Sequence, residues 1–416
     1  MDYYQAPRWT SEIADCSMPM TFDQYSNCSY GCLYCFSTFQ RAVGDGKENY
    51  LAKRVKPVKI ESVVKHFCDP EKSQFGPFIR MGKTMQWGSL SDPFCNFEKK
   101  YGVGLELLRF FKAINYPLCL STKGVWWLDD PRYTELFKGQ KNWNVKVSII
   151  MTNEDFVKKI EPGVPTTKER LKALEKITAL NCGGATLRLR PFIIGITNHN
   201  NGHIELIKES GKRGAGAVST EFFCCERRSM ILRERLKIMS ECAGFDVWKY
   251  YVKNSYNQGY MRLNRNTKRP YVDEMQKAAR EAGMRFYVSD AHFKERCDNG
   301  SCCGLPADWP GSYSKGQWCE ALMIAKKRGY VTWDDIDPHL AYADTFLWRL
   351  NIGMNRGSAE KAASFVNHTC KDYMRWLWNN PNAGQSPYYM YEGILKPRPD
   401  ADANGNLIYD YDSSKA

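Results

Sequence analysis

Residues 27–36 read NCSYGCLYCF and place three cysteines, Cys28, Cys32 and Cys35, in the spacing C-x3-C-x2-C. Three thiolates on one short loop can converge on a single centre, so the chain must fold in a way that seats this loop. Soft sulfur ligands select iron–sulfur clusters, zinc or copper(I). A four-iron cluster takes four ligands and the loop brings three, which leaves one iron open to a small molecule. A zinc knuckle or a disulfide set is the alternative. Zinc usually takes a second pair of ligands at short range, and none follows here.

Composition narrows the setting. The chain has 416 residues, 43% of them hydrophobic, enough for a packed core. That length suits one large barrel with additions, or two to three domains. No apolar run approaches the ~20 residues of a membrane span, and the opening MDYYQAPRWTSE has no apolar h-region. A cytoplasmic chain without membrane contact is therefore expected. There the 16 cysteines point to metal more than to disulfides. Six histidines make a histidine-based metal site the less favoured kind, and a net charge of +13 favours an anionic partner such as nucleic acid.

Along the chain, strands alternate with helices. Residues 47–59 read as a basic loop and 61–67 as a short helix. Residues 78–88 read as a strand running into GSLSDPF. Helical periodicity covers 101–115, and 118–122 is a strand followed by Lys123 and Gly124. A short helix follows over 130–137. The segment 145–150 alternates apolar Val145, Val147 and Ile149 with Lys146 and Ser148, as a strand does. Thr166, Thr167 and Glu169 open an amphipathic helix to residue 180. Residues 186–194 (TLRLRPFII) and 217–223 are further strands. This order predicts a parallel β/α barrel, with ligands in the loops at the carboxyl ends of its strands. At Gly88 the backbone would be able to approach a ligand closely. Ser89 and Ser91 offer hydroxyls and Asp92 a carboxylate, although an ordinary Ser-Asp-Pro turn explains the same residues.

With an aromatic, Tyr34, just before its last cysteine, the loop resembles the signature of the radical S-adenosylmethionine (SAM) superfamily. The resemblance implies a [4Fe-4S] cluster on Cys28, Cys32 and Cys35 whose open iron chelates SAM. One electron then yields a 5′-deoxyadenosyl radical. Further segments are similar to the spore photoproduct lyase branch. They are Gly88, Ser89, Ser91, Asp92 and Pro93; Ser121, Thr122 and Lys123, with Gly124 where the family has serine; Glu161, Pro162 and Pro165, with Arg170 beyond; and Arg188, Pro191 and Gly195. By this resemblance Gly88 and Ser89 lie near the SAM methionine amine, and Ser121, Lys123, Ser148 and Arg190 near its ribose or carboxylate; Asp92 is a further candidate because its carboxylate can accept from an ammonium group. The branch uses a cysteine that returns hydrogen, for which Cys95 qualifies by position alone; a buried small residue is the bland reading. The implied fold is a partial (β/α)6 barrel with a mainly helical, cysteine-containing C-terminal part. A reductase or flavodoxin-type electron donor is implied with it.

The second half carries two more features. Over 250–271, tyrosines interleave with Lys253, Arg262, Arg265, Lys268 and Arg269. Cations that grip phosphates beside rings that stack bases fit a nucleic-acid face; a solvated basic loop over packed tyrosines fits as well. Cys297, Cys302, Cys303 and Cys319 form a second group, suited to an auxiliary iron–sulfur cluster or a zinc, with Cys224 and Cys225 as further candidate ligands. Residues 331–378 read as helical and tryptophan-rich, and 383–416 as a wrapping tail. The expected division is 1–20 as an N-terminal wrap, 21–223 as the barrel, 224–330 as the barrel end with the basic segment and second cysteine group, and 331–416 as the helical region and tail. The leading expectation is radical SAM modification or repair of a nucleic-acid base or nucleotide. The alternatives are modification of a peptide or protein, and a non-catalytic metal-binding protein that binds nucleic acid.

Overall fold

A computed structural model describes residues 7–9, 14–38, 46–256, 260–299, 301–306, 309, 316–340 and 368–416. Its strands are β1 (Arg8–Trp9), β2 (Met20–Phe22), β3 (Met85–Trp87), β4 (Leu118–Thr122), β5 (Trp143–Ser148), β6 (Ala185–Phe192), β7 (Ala217–Phe222), β8 (Cys225–Glu226), β9 (Tyr260–Met261), β10 (Arg285–Val288), β11 (Tyr330–Val331), β12 (Leu395–Ala401) and β13 (Leu407–Tyr411). One sheet has the order β1-β2-β3-β4-β5-β6-β7-β10. Its central pairs β4–β5, β5–β6 and β6–β7 are parallel, and β1 pairs antiparallel with β2. The fold is therefore α/β with helices between parallel strands.

Two compact units are present. The first holds Phe22–Ile60 and Gln86–Phe286; the second holds Pro7–Thr21, Glu61–Met85 and Tyr287–Ala416, as far as these are described.

In the first unit the strands are buried on both faces, and the two faces differ. Val145, Val147, Leu187, Leu189 and Val218 lie on the side against which the helices Thr167–Ala179 and Gly202–Lys212 pack. The first of these helices starts with a reciprocal cap: Thr166 Oγ1 accepts from Glu169 N, and Glu169 Oε2 accepts from Thr166 N at 2.7 Å. Side chains alternate along a strand, so the opposite, inner face carries Cys119 and Ser121 of β4, Asn144, Lys146 and Ser148 of β5, Thr186, Arg188 and Arg190 of β6, and Ser219 and Glu221 of β7. The register sets these side by side, with Ser121 opposite Lys146, Lys146 opposite Thr186, and Arg188 opposite both Ser148 and Ser219. A barrel that is only a core fills its inner face with branched apolar residues. This one is polar.

Several sequence expectations are corrected. Residues 78–88 are not one strand: Gly76–Arg80 is a helix with proline in its first turn, and β3 begins only at Met85. The basic stretch 47–59 opens with the helix Gly46–Leu51. The segment 383–416 is not a loose tail. β12 and β13 form an antiparallel hairpin, and β13 pairs with β11. The helices Trp318–Arg328 and Cys370–Trp378 accompany that sheet. Trp318, Trp333 and Trp378 are buried in one cluster, as core residues; Trp348 lies outside the described residues.

Candidate functional site

The cysteine loop is pinned by its backbone to the segment after β5. Gly31 N donates to Pro162 O at 3.2 Å and Leu33 N to Ile160 O at 2.9 Å. A Cβ on Gly31 would meet Pro162 Cγ at 3.1 Å, so the two backbones are nearly in contact. Lys53 Nζ donates to the carbonyls of Cys28 and Tyr30, and Asn27 Oδ1 caps Cys28 N at 2.8 Å.

Beneath the loop lies Glu161, fully buried. It accepts a hydrogen bond from the Tyr34 hydroxyl, and it pairs with Arg170 at 2.8 Å and Lys123 at 3.2 Å. Burial alone would raise its pKa, but the two cations and the phenol outweigh burial and hold it at about 2. Arg170 also donates to Ser148 O at 2.9 Å, which ties this charge network to the end of β5. Lys123 lies 5.5 Å from the centre of the Tyr34 ring.

The thiols fit a thiolate-bound cluster. Cys32 is buried and its pKa is pushed up to about 12 by burial, with Cys35 and Glu161 beside it and Lys123 and Arg170 opposing. Neither the Cys32 nor the Cys35 sulfur makes a hydrogen bond among the described residues. A buried thiolate needs positive charge to replace lost solvation, and a cluster iron supplies it. Cys28 faces the fully buried Cys95. This hydrogen-bonded pair holds a proton well above the usual thiol range, chiefly through that bond and burial. Backbone N–H groups of Asp92 reach Cys28, and those of Ser29 and Phe97 reach Cys95. No three His, Cys, Asp or Glu among the described residues are spaced for a single metal ion. A four-iron cluster spreads its ligands over a wider footprint than that.

The GSLSDPF loop is braced by a residue the sequence reading did not single out. Asp23, just after β2, accepts from Ser89 Oγ at 3.0 Å, Leu90 N at 2.9 Å, and Ser91 N and Oγ at 2.7 and 3.2 Å. Asp92 reaches to the next strand. It accepts from Thr122 Oγ1 at 2.6 Å, Lys123 N at 2.5 Å and Phe94 N at 2.9 Å. Burial raises its pKa against these bonds. Gly88 has φ +87°, and a Cβ there would lie 2.5 Å from Ser121 O. The close approach it permits is to β4. Gly124 is explained likewise: a Cβ would lie 2.3 Å from Phe94 O, so the serine of the resembling family does not fit here.

Three of the expected SAM contacts, Ser121, Ser148 and Arg190, come together on the inner face. Ser121 Oγ accepts from Gln86 Nε2 at 3.0 Å, Gln86 Oε1 accepts from Lys146 Nζ at 2.7 Å, and Arg190 pairs with Glu221. Gln86, Lys146 and Glu221 were not singled out from sequence. For Lys146 the signal was there in the alternation of polar and apolar residues along β5; Gln86 and Glu221 lie on β3 and β7.

The basic segment is divided. Lys253 is exposed on the helix Val247–Asn254, and Arg262, Arg265 and Arg269 are half-buried. Lys268 is buried with its ammonium 5.7 Å from the Phe222 ring centre, so it is not part of a basic surface. Tyr251 and Tyr271 pack inward and Tyr256 is exposed.

In the second unit, Cys297 exchanges hydrogen bonds with the Val288 backbone at 3.2 and 3.3 Å. Cys302 and Cys303 lie 4.0 Å apart. The buried Lys294, paired with Asp15 at 2.7 Å, feels Cys302, Cys319 and Cys297 around it, so these cysteines are gathered about a lysine ammonium. Cys16 joins Cys319 near the buried Lys83. Cys224 and Cys225 belong to the first unit.

Among solved structures, spore photoproduct lyase with bound AdoMet and dinucleoside spore photoproduct aligns at a TM-score of 0.47 and 15% identity, covering 68% of this chain and 80% of that one. Others are the methyltransferase TsrM of Kitasatospora setae with cobalamin and a [4Fe-4S] cluster bound (TM-score 0.35, 11% identity, 53% and 39% covered) and Streptococcus suis SuiB bound to precursor peptide SuiA (0.38, 12%, 67% and 51%). Uncharacterized proteins of Mycobacterium tuberculosis and Mycobacterium bovis are 23% identical over 203 residues, 48% of this chain and 57% of theirs. The chain thus spans little more than half the length of those curated relatives. No family model matches it. Among the described residues no helix is long and apolar enough to cross a membrane.

Proposed function

We propose that this chain is a radical SAM enzyme acting on a nucleic-acid base or nucleotide. The observation that carries the reading is a C-x3-C-x2-C loop pinned beside the carboxyl ends of parallel strands whose inner face is polar. Cys28, Cys32 and Cys35 would hold the cluster. Bound there, it would supply an electron to SAM and so a 5′-deoxyadenosyl radical. The chain's own residues do the rest. Glu161, Lys123, Arg170 and Tyr34 hold the loop rigid, because three groups share the one buried carboxylate of Glu161. Asp23 and Asp92 fix the loops beside it. Ser121, Ser148 and Arg190 offer hydroxyls and a guanidinium to the polar parts of SAM. Cys95, fully buried against Cys28, supports that sulfur and does not meet substrate in this reading. Lys253, Arg262, Arg265 and Arg269 are proposed to meet nucleic acid, in keeping with the net charge of +13.

Of the two second-metal readings, an auxiliary iron–sulfur cluster on Cys297, Cys319 and Cys302 or Cys303 is favoured over zinc. The chain is already proposed to assemble one iron–sulfur cluster, and thiolates accept iron–sulfur clusters as readily as zinc. Residual iron and sulfide in a variant lacking Cys28, Cys32 and Cys35 would support it; a metal-free variant would remove it.

The test of the main reading is anaerobic reconstitution with iron and sulfide, then reduction by dithionite with SAM. Release of 5′-deoxyadenosine, raised by a DNA or RNA oligonucleotide and not by an acidic peptide, is expected. No 5′-deoxyadenosine would contradict the enzyme, and stimulation by peptide alone would contradict the substrate class.

A further inference from the structure

The inner face of the first unit carries more positive charge than it balances. Lys146, Arg188 and Arg190 point to it, and Glu221 is the carboxylate on the same strands, already paired with Arg190. Lys146 is held by the neutral amide of Gln86. Arg188 makes no ion pair among the described residues, and its Nε is buried without a hydrogen-bond partner. Burial and the adjacent Arg190 push its pKa down to about 10, so it stays charged at neutral pH.

A cation is costly to hold inside a protein without an anion. Arg188 and Arg190 start two residues apart on one face of β6, with their Cα atoms about 6.6 Å apart along the strand. Each guanidinium is a planar fork that fits carboxylate or phosphate oxygens two at a time. Arg188 also lies near Tyr34 of the cysteine loop and Cys119 of β4, which places it between that loop and the middle of the sheet. Ser148 and Ser219 flank it in register, and Gln86, Ser121 and Thr186 share the same polar face, groups that can meet the edge of a base.

We propose that Arg188, with Lys146 beside it, is the seat for a phosphodiester of the substrate, so that the nucleotide enters the inner face phosphate-first and offers its base toward the cysteine loop. This rests on the nucleotide reading above. The same fork would also take the carboxylate of SAM, and the experiment separates the two.

The full-length reconstituted protein is titrated calorimetrically, without reductant, with a dinucleotide, with the same dinucleotide carrying an uncharged methylphosphonate linkage, and with SAM. The phosphodiester should bind about tenfold to a hundredfold more tightly than the methylphosphonate, the usual worth of a buried charge-assisted contact. Arg188→Gln should erase that difference and leave SAM binding unchanged, and Arg188→Lys should restore part of it. Equal binding of the two dinucleotides to the wild-type protein would overturn the proposal even if Arg188→Gln failed to fold. Loss of SAM binding in Arg188→Gln, with the dinucleotide contrast kept, would reassign the seat to the SAM carboxylate. Competition by an acidic peptide alone would reassign it to protein. No turnover is involved, so failure here leaves SAM cleavage standing, and failure of SAM cleavage leaves the binding contrast readable.

Discussion

Glu161 shows how much of this site hangs on one side chain. Its pKa of about 2 against an ordinary 4.5 means the folded state prefers the carboxylate. The sign follows: this stabilisation is present in full above about pH 4.5 and is lost as pH falls toward 2. The shift corresponds to roughly 3 kcal/mol. Glu161→Gln should therefore unfold more easily at neutral pH by a few kcal/mol, since Arg170 is left buried without its partner, and should lose much of the wild-type stability difference between pH 5 and pH 2.5. Equal denaturation midpoints for the two proteins at pH 7 would contradict this. Cys32→Ala concerns a loop ligand and not packing. It should abolish SAM cleavage while keeping the thermal transition close to that of the parent. At this scale the sequence singles out candidate ligands and is weak about braces. The cysteines declare themselves by spacing, whereas Asp23 is a single carboxylate after a strand, and only the folded loop shows the four groups it receives.

Among elements, β5 and β6 were the most legible, because a period of two survives in sequence when one face packs on helices and the other does not. The same alternation held the inner-face charges in plain view. Residues 78–88 misled because Phe78, Ile79 and Met81 are apolar enough for a strand, while Pro77 sets the first turn of a helix. The C-terminal hairpin misled in the other direction. Its proline, aspartate and glycine content is turn chemistry: Asp402 accepts from Asn404 N and Asn406 N at 2.9 and 2.8 Å. Gly124 provides an element-scale test. Gly124→Ser puts a Cβ against Phe94 O and should cost about 1–3 kcal/mol. Urea unfolding would measure it, and an unchanged midpoint would show that the turn after β4 is looser than described.

For the whole molecule, the net charge of +13 says only that anions are attracted. The structure divides that charge into an inner-face excess and surface cations, a division no count of lysines and arginines reveals. Lys268 illustrates the point: it reads as part of a basic run and is buried over Phe222. Neutralising Lys253, Arg262, Arg265 and Arg269 together should weaken oligonucleotide binding and flatten its dependence on salt by roughly 0.7–0.9 log units per lost contact. An unchanged slope would make the segment a solvated face. The central claim, that Cys28, Cys32 and Cys35 present a cluster with an iron open to SAM, is tested most directly by electron paramagnetic resonance of the anaerobically reconstituted, dithionite-reduced protein with and without SAM. The account predicts a reduced [4Fe-4S] signal that changes shape when SAM is added and is absent from a variant lacking Cys28, Cys32, Cys35 and the second cysteine group. A reconstituted protein with no such signal, or one whose signal ignores SAM, would contradict it.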